Sequence, residues 1–164
     1  MNIRAERPED QTTIHALTAA AFAGVPYSDQ TEPAIVDALR AAGALSLSLV
    51  AEEDGKLLGH IAFSPVSIDG QDHDWFGLGP VSVWPDNQRG GIGSALINEG
   101  LARLRANGAK GCVLLGDPAY YSRFGFVSSA ALTYPGPPAE YFQHLSFEDP
   151  MPTGIVSYHD AFNQ

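Results

Sequence analysis

The sequence predicts a mixed α+β domain built on a central, mostly antiparallel sheet. Three observations carry this reading. Two helical patterns near the N-terminus, each with a proline near its start and a glycine at its end, lead into strand-like runs joined by Asp-Gly turns. A β-branched run, Val81 to Val83, then passes through a glycine-rich loop into an amphipathic helical pattern and on into the wholly apolar run "CVLL". A strand, turn, helix, strand succession of this kind sets its two strands parallel.

The elements follow in order. "NIRAE" reads as a short strand. "RPEDQTTIHALTAAAFAG" places Pro8, Glu9 and Asp10 in a first helical turn, spaces Ile14, Leu17, Ala21 and Phe22 along one face, and stops at Gly24. After the loop "VPYSD", the stretch "TEPAIVDALRAAG" repeats the design, with Ile35, Val36 and Leu39 inward and Gly43 closing it. "LSLSLVAEE" alternates with period two, and Asp54-Gly55 turns it back into "KLLGHIAFSPVSI". Asp69-Gly70 leads through "QDHD" into "WFGLGPVSVW", which completes an antiparallel meander. From Gly91 to about Asn107 the apolar residues Ile92, Leu96, Ile97, Leu101 and Leu104 return to helical spacing. "GCVLLG" is continuous enough to be a strand covered on both faces. Asp117-Pro118 then caps a short helix, "AYYSRF", which Gly125 ends. "FGFV" is expected to open another strand. A proline-rich loop with Pro137 and Pro138 precedes a last strand at "TGIVSYH". Residues 1–164 read as a single domain, with no internal repeat.

Composition narrows the function classes. Hydrophobic residues make up 45% and charged residues 17%, and no apolar run approaches a membrane span. "MNIRAERPEDQ" lacks the apolar core of a secretory signal, so a soluble, cytoplasmic protein is expected. Nine basic against nineteen acidic residues give a net charge of −10, which argues against nucleic acid as a partner. An acidic field draws cations, although its ordinary service is solubility. The single cysteine, Cys112, excludes an intrachain disulfide and a cysteine-based zinc site, and it reads as a small buried hydrophobe. No metal is expected.

The chemistry concentrates in "VSVWPDNQRGGIGSAL", Val81 to Leu96. A helix beginning near Gly91 offers unpaired backbone N–H groups and a positive dipole end, which suit a phosphate. Gly90, Gly91 and Gly93 remove the Cβ atoms that would hold a pyrophosphate away, and Ser94 adds a hydroxyl. The loop is not a P-loop, because no Gly-Lys-Ser/Thr follows. It also lacks the third glycine of the dinucleotide fingerprint.

"QRGGIG", Gln88 to Gly93, instead matches a Q/R-x-x-G-x-G/A signature, and "YYSRFGF", Tyr120 to Phe126, matches a Y-x-x-x-G-F segment one helix and one strand later. With these two motifs in this order, the chain resembles the GCN5-related N-acetyltransferases (GNAT family) over almost its whole length. "LGDPAYYSRFGF" and "GIVSYHDAF" look most like the bacterial YhbS-type branch. The resemblance implies a GNAT-like fold, with about four helices on both faces of the sheet and acetyl-CoA in a wedge where the fourth and fifth strands part. It implies that Gln88, Arg89, Gly90, Gly91, Gly93 and Ser94 hold the pyrophosphate and that backbone at Val81 and Val83 pairs with the pantetheine. An amide at Val81 or Ser82 would polarise the acetyl carbonyl.

The implied reaction is direct attack of an amine on the thioester, which needs no acyl-enzyme. Tyr121 matches the tyrosine that the family assigns to protonating the departing thiolate, with a packed aromatic as the alternative role. The base is not apparent. Many family members carry a glutamate on the fourth strand, but "WFGLGPVSVW" contains no ionisable group. His60, His73, Asp74 and His159 are the remaining candidates, and each reads first as a structural or solvated residue. Asp117 stands where many relatives have asparagine, and helix capping suffices to account for it. Phe22, Tyr27 and Ser28 fall in the segment that usually walls the acceptor site, and the Pro137-Pro138 loop is a second wall. The expected activity is N-acetylation of a small-molecule amine or a protein amino group. The rivals are a non-catalytic CoA-binding module and a domain whose glycines merely start a helix. A homodimer formed through edge strands is in keeping with the family.

Overall fold

Both Asp-Gly pairs turn the chain back on itself, with φ of 51° and 77° at Asp54 and Gly55 and 51° and 78° at Asp69 and Gly70. Positive φ at both central residues gives the turn whose twist matches that of the flanking strands. In the computed structural model, which describes residues 1–164, these turns join β2 (Leu47–Glu53), β3 (Lys56–Ile68) and β4 (Gln71–Val83). β1 (Asn2–Ala5) pairs antiparallel with β2. β5 (Gly111–Leu115) lies parallel to β4, as the strand-helix-strand order requires. The two-residue strand β6 (Leu132–Thr133) is followed by β7 (Phe142–Ser146) and β8 (Gly154–Tyr158). The main path runs β1-β2-β3-β4-β5-β7; β8 pairs with the far end of β3 and with β6.

The helices occupy opposite faces. α1 (Gln11–Phe22), preceded by a 3₁₀ turn at Pro8–Asp10, buries Ile14, Leu17 and Thr18. It packs with α2 (Glu32–Ala41), and Ile14, Val36 and Val50 form a common cluster. α3 (Ile92–Ala106) covers the other face, where Ile92, Leu96, Ile97 and Leu104 meet Leu49, Ile61, Phe63 and Leu114. Gly100 lets α3 approach closely, because a Cβ there would strike the ring of Phe63. α4 (Pro118–Tyr121) runs into a 3₁₀ turn at Ser122–Phe124, closed by Gly125 at φ 94°. The fold is therefore the expected α+β arrangement, with β4 and β5 parallel inside the main sheet and β6 parallel to β8 beside it.

One reading near the C-terminus is corrected, and one strand was not anticipated. "FGFV" does not open a strand: it forms one isolated bridge, Val127 to His144. The strand beside β5 is supplied later in the chain by β7, in register from Gly111 opposite Ser146 to Leu115 opposite Phe142. "FQHLS" contains two polar residues, Gln143 and His144, that are nonetheless buried, so hydrophobic patterning did not mark it.

Candidate active site

β4 and β5 are paired only from Trp75 to Gly77 and from Gly111 to Val113. Beyond them β5 continues against β7, while β4 runs on against β3 with Ile61, His60 and Gly59 opposite Val81, Ser82 and Val83. The Trp84 amide donates to the Leu58 carbonyl on β3. Backbone direction alternates along a strand, so Ser82 also turns its N–H toward β3, whereas Val81 and Val83 turn theirs into the gap between β4 and β5. Of the two amides considered from sequence, the one at Val81 is therefore directed at the gap. The Val83 carbonyl is met there by the Gln88 side-chain amide at 3.1 Å.

At the end of β4 a 3₁₀ turn, Pro85–Asn87, delivers the glycine loop. Arg89 and Gly91 both hold left-handed conformations, with φ of 68° and 85°, and residues 88–91 are exposed. Glycine at 91 meets a backbone requirement, since no neighbouring atom lies within 4 Å of where a Cβ would stand. The first bond of α3 is the Ala95 N–H to the Gly91 carbonyl. The N–H groups of Ile92, Gly93 and Ser94 are thus free of helical partners at the end of the gap. Ser94 Oγ lies 3.1 Å from the Tyr120 hydroxyl. Arg123 stacks on the same Tyr120 ring, with Cζ 4.4 Å from its centroid, and donates from Nε to the Tyr120 carbonyl. Sequence reasoning had no role for Tyr120 beyond packing and none for Arg123. Their i, i+3 spacing on a short helix was the available signal.

The Asp117 carboxylate accepts from the Ala119 N–H at 2.9 Å and caps α4, as expected. α4 sets the rings of Tyr120 and Tyr121 edge to face at 4.9 Å. The Tyr121 ring rests on Gly116, where any Cβ would collide with it, and packs beside Phe126. Burial, reinforced by Tyr120 and Tyr27, pushes the Tyr121 phenol up to about 12. It is therefore fully protonated at neutral pH, as a proton donor must be. Tyr27 itself is 89% exposed, and Phe22 at the end of α1 is half-buried. The Ser28 hydroxyl donates to Glu32 at 2.7 Å and accepts from the Gln30 N–H, and Gln30 bonds back to the Phe22 carbonyl. Ser28 thus braces this loop.

The candidates for a base separate widely. His73 and Asp74 lie at the opposite end of β4 from Val81, roughly 20 Å or more away at about 3.3 Å per residue. His159 accepts from the Ala161 N–H at 3.0 Å and caps the C-terminal 3₁₀ turn. His60 is wholly buried on β3 and bonded to Ser48 at 2.8 Å. Cys112 is buried among apolar side chains, and its thiol is pushed far up by that burial. No helix is long and apolar enough to cross a membrane.

Comparison with known proteins agrees with this geometry. The model of the acetyltransferase (GNAT) domain matches residues 2–128. The uncharacterized N-acetyltransferase YhbS of Escherichia coli K12 is 38% identical, across all of this chain and 99% of its own length. A crystal structure of E. coli YhbS in complex with CoA superposes with a TM-score of 0.90, covering 99% of this chain and 92% of that one. A GNAT family acetyltransferase from Brucella melitensis in complex with acetyl-CoA is 59% identical, with a TM-score of 0.89 over 98% of this chain and 97% of that one. By family match, full-length similarity and fold, this chain belongs to the GNAT family of N-acetyltransferases.

Proposed function

We propose that this protein transfers the acetyl group of acetyl-CoA to a primary amine, on a small molecule or a protein. The observation that carries the reading is the junction of two unpaired backbone surfaces. The edge of β4, where the Val81 and Val83 N–H groups face the gap and Gln88 covers the Val83 carbonyl, runs directly into the N–H groups at the start of α3 that lack helical partners. The first suits an extended amide-bearing chain laid down like an added strand, and the second suits a pyrophosphate. The B. melitensis relative, which is bound to acetyl-CoA, supports the same assignment.

Acetyl-CoA would supply an activated acyl carbon and a thiolate leaving group. In this reading Gln88, Arg89, Gly90, Gly91, Gly93 and Ser94 surround the pyrophosphate, with Tyr120 fixing Ser94. The Val81 amide donates to the acetyl carbonyl oxygen, as in an oxyanion hole. Tyr121 gives its phenolic proton to the departing sulfur. Phe22 and Tyr27 border the acceptor, while Ser28 holds their loop in place.

Calorimetric titration of acetyl-CoA into the wild type, Gly91→Glu and Gly91→Asn tests the cofactor assignment. Asparagine tolerates the left-handed conformation, so saturable binding by the wild type and Gly91→Asn, lost in Gly91→Glu, is expected. Equal binding by all three, or none, overturns it. Binding without release of CoA thiol toward any amine would leave a CoA-binding module.

A further inference from the structure

Four side chains from four separate segments meet on the α1 and α2 face of the sheet. Arg40 of α2 donates from Nε and Nη2 to the two oxygens of Glu6, at 2.9 and 3.0 Å. Glu6 follows β1 and also accepts from the Ser48 hydroxyl on β2. Ser48 Oγ is in turn 2.8 Å from His60 Nε2 on β3. A serine hydroxyl has one hydrogen, and here it is committed to a carboxylate. The hydrogen in the Ser48 to His60 contact must therefore come from Nε2. In a neutral imidazole this leaves Nδ1 as a bare lone pair.

That Nδ1 atom is buried and has no hydrogen-bond partner, and the same holds for Ser82 Oγ. The two residues are cross-strand partners, so their side chains leave the same face of the sheet next to one another. Ser82 immediately follows Val81, the residue whose backbone turns into the gap between β4 and β5. An unpaired buried acceptor and an unpaired buried hydroxyl are costly to retain. Here they belong to cross-strand partners, and Ser82 is one residue along the strand from the proposed acetyl position.

We propose that His60 Nδ1, with the Ser82 hydroxyl and one bridging water, accepts the proton of the attacking amine, and that Ser48, Glu6 and Arg40 are positioning residues that fix its tautomer. This inference rests on the acetyltransferase reading and names the base that β4 itself lacks. As the amine nitrogen bonds to the thioester carbon, one N–H bond breaks and its proton passes through the water to Nδ1. The C–S bond breaks with its electron pair going to sulfur, which takes the Tyr121 proton. The imidazolium proton returns through solvent to the Tyr121 oxygen. The sum is amine plus thioester giving amide plus thiol.

The electrostatics keep the imidazole neutral. Burial lowers the His60 pKa to about 4 against the opposing pull of Glu6, with Arg40 adding to the decrease. The lone pair is therefore available at neutral pH but weakly basic, so proton transfer to it must accompany nitrogen–carbon bond formation and not precede it. Burial raises the Glu6 carboxyl, but hydrogen bonds from Arg40 and Ser48 outweigh it and hold the carboxyl below its ordinary range. Glu6 is thus a fixed negative charge behind the imidazole.

The test uses acetyl-CoA with ethanolamine, putrescine and a lysine-containing peptide, following CoA thiol release. In His60→Gln, kcat should fall by about tenfold or more while acetyl-CoA affinity stays within about twofold. Millimolar imidazole should restore part of the turnover of His60→Ala. Turnover by His60→Gln within about twofold of a catalytically active wild type overturns this inference alone. A wild type that releases no thiol with any of the amines overturns the acetyltransferase reading and this inference together. If the variants fail to fold, long-range proton-nitrogen NMR of wild-type His60 decides: hydrogen on Nε2 supports the proposal, and hydrogen on Nδ1 overturns it.

Discussion

The two faces of β2 and β3 differ in kind although they come from the same residues taken alternately. Toward α3 the strands present Leu49, Ala51, Ile61 and Phe63, all fully buried and packed into a continuous apolar cluster. Toward α1 and α2 they present Ser48, Val50, His60 and Ser64, again buried, with Ser82 of β4 alongside. On this second face His60 Nδ1, Ser64 Oγ and Ser82 Oγ have no partners. Removing such atoms from water without replacing their hydrogen bonds costs free energy. Stability thus accounts for the α3 face and for the Ile14, Val36 and Val50 cluster on the other, but not for the unpartnered polar atoms beside that cluster. The polar face is also the one that adjoins the exposed loop after α1 and the turn of β4 toward the gap. One face maintains the fold, and the other is built where the proposed chemistry takes place.

Three measurements break or sharpen that contrast. The largest effect should come from Phe63→Ala, which empties the space that Gly100 leaves for the ring. Truncation of a buried phenylalanine costs about 3–5 kcal/mol, measured as a lower urea midpoint. A loss below about 1 kcal/mol would show that the α3 face is not the main source of stability.

The second concerns acid. The folded-state pKa of His60 is depressed to about 4, so between pH 7 and 5 the unfolded chain binds a proton that the folded chain refuses. Stability should fall as pH decreases through this window and stop falling, on this account, below about 4. The His60 share at pH 5 is on the order of 2 kcal/mol. His144, whose pKa burial also lowers, acts in the same direction. The His60 share is therefore read as the difference between wild type and His60→Gln in urea unfolding at both pH values. Equal pH dependence in the two proteins would remove the buried imidazole from the account. Glu6 and Asp10 have depressed pKa values in the folded state, so their contributions are lost only on further acidification.

The smallest effect, and of either sign, belongs to Ser64→Ala. It deletes a buried hydroxyl that has no partner, so unfolding free energy should change by less than about 1 kcal/mol and could increase. A loss of about 2 kcal/mol or more would mean that the hydroxyl is bonded in solution.

Much of this architecture was legible from local signals. The Asp-Gly turns, the helical spacing from Ile92 to Leu104 and the glycine at 91 each act over a few residues, and the structure contains what they specify. β7 was not legible because Gln143 and His144 are buried by pairing with a strand far away in sequence. The polar line of Glu6, Arg40, Ser48 and His60 was invisible for the same reason. Arg40 lies 34 residues from Glu6 and Ser48 lies 42 from it. No pattern along the chain relates them, and only the order β1-β2-β3 with α2 above it brings them together. His60 was one of four candidates in the sequence, and only its partners on other elements set it apart from His73, Asp74 and His159.

The Tyr121 ring lies against Gly116, a residue with no functional group. The reach of the phenol is therefore set by an empty volume and not by a bond, which makes position 116 a mechanical adjustment for the site. A methyl group there would tilt the ring without altering any reacting atom, and successive increases in bulk would displace the hydroxyl by steps. An engineer wishing to vary the proposed role of Tyr121 by degrees would begin with this glycine.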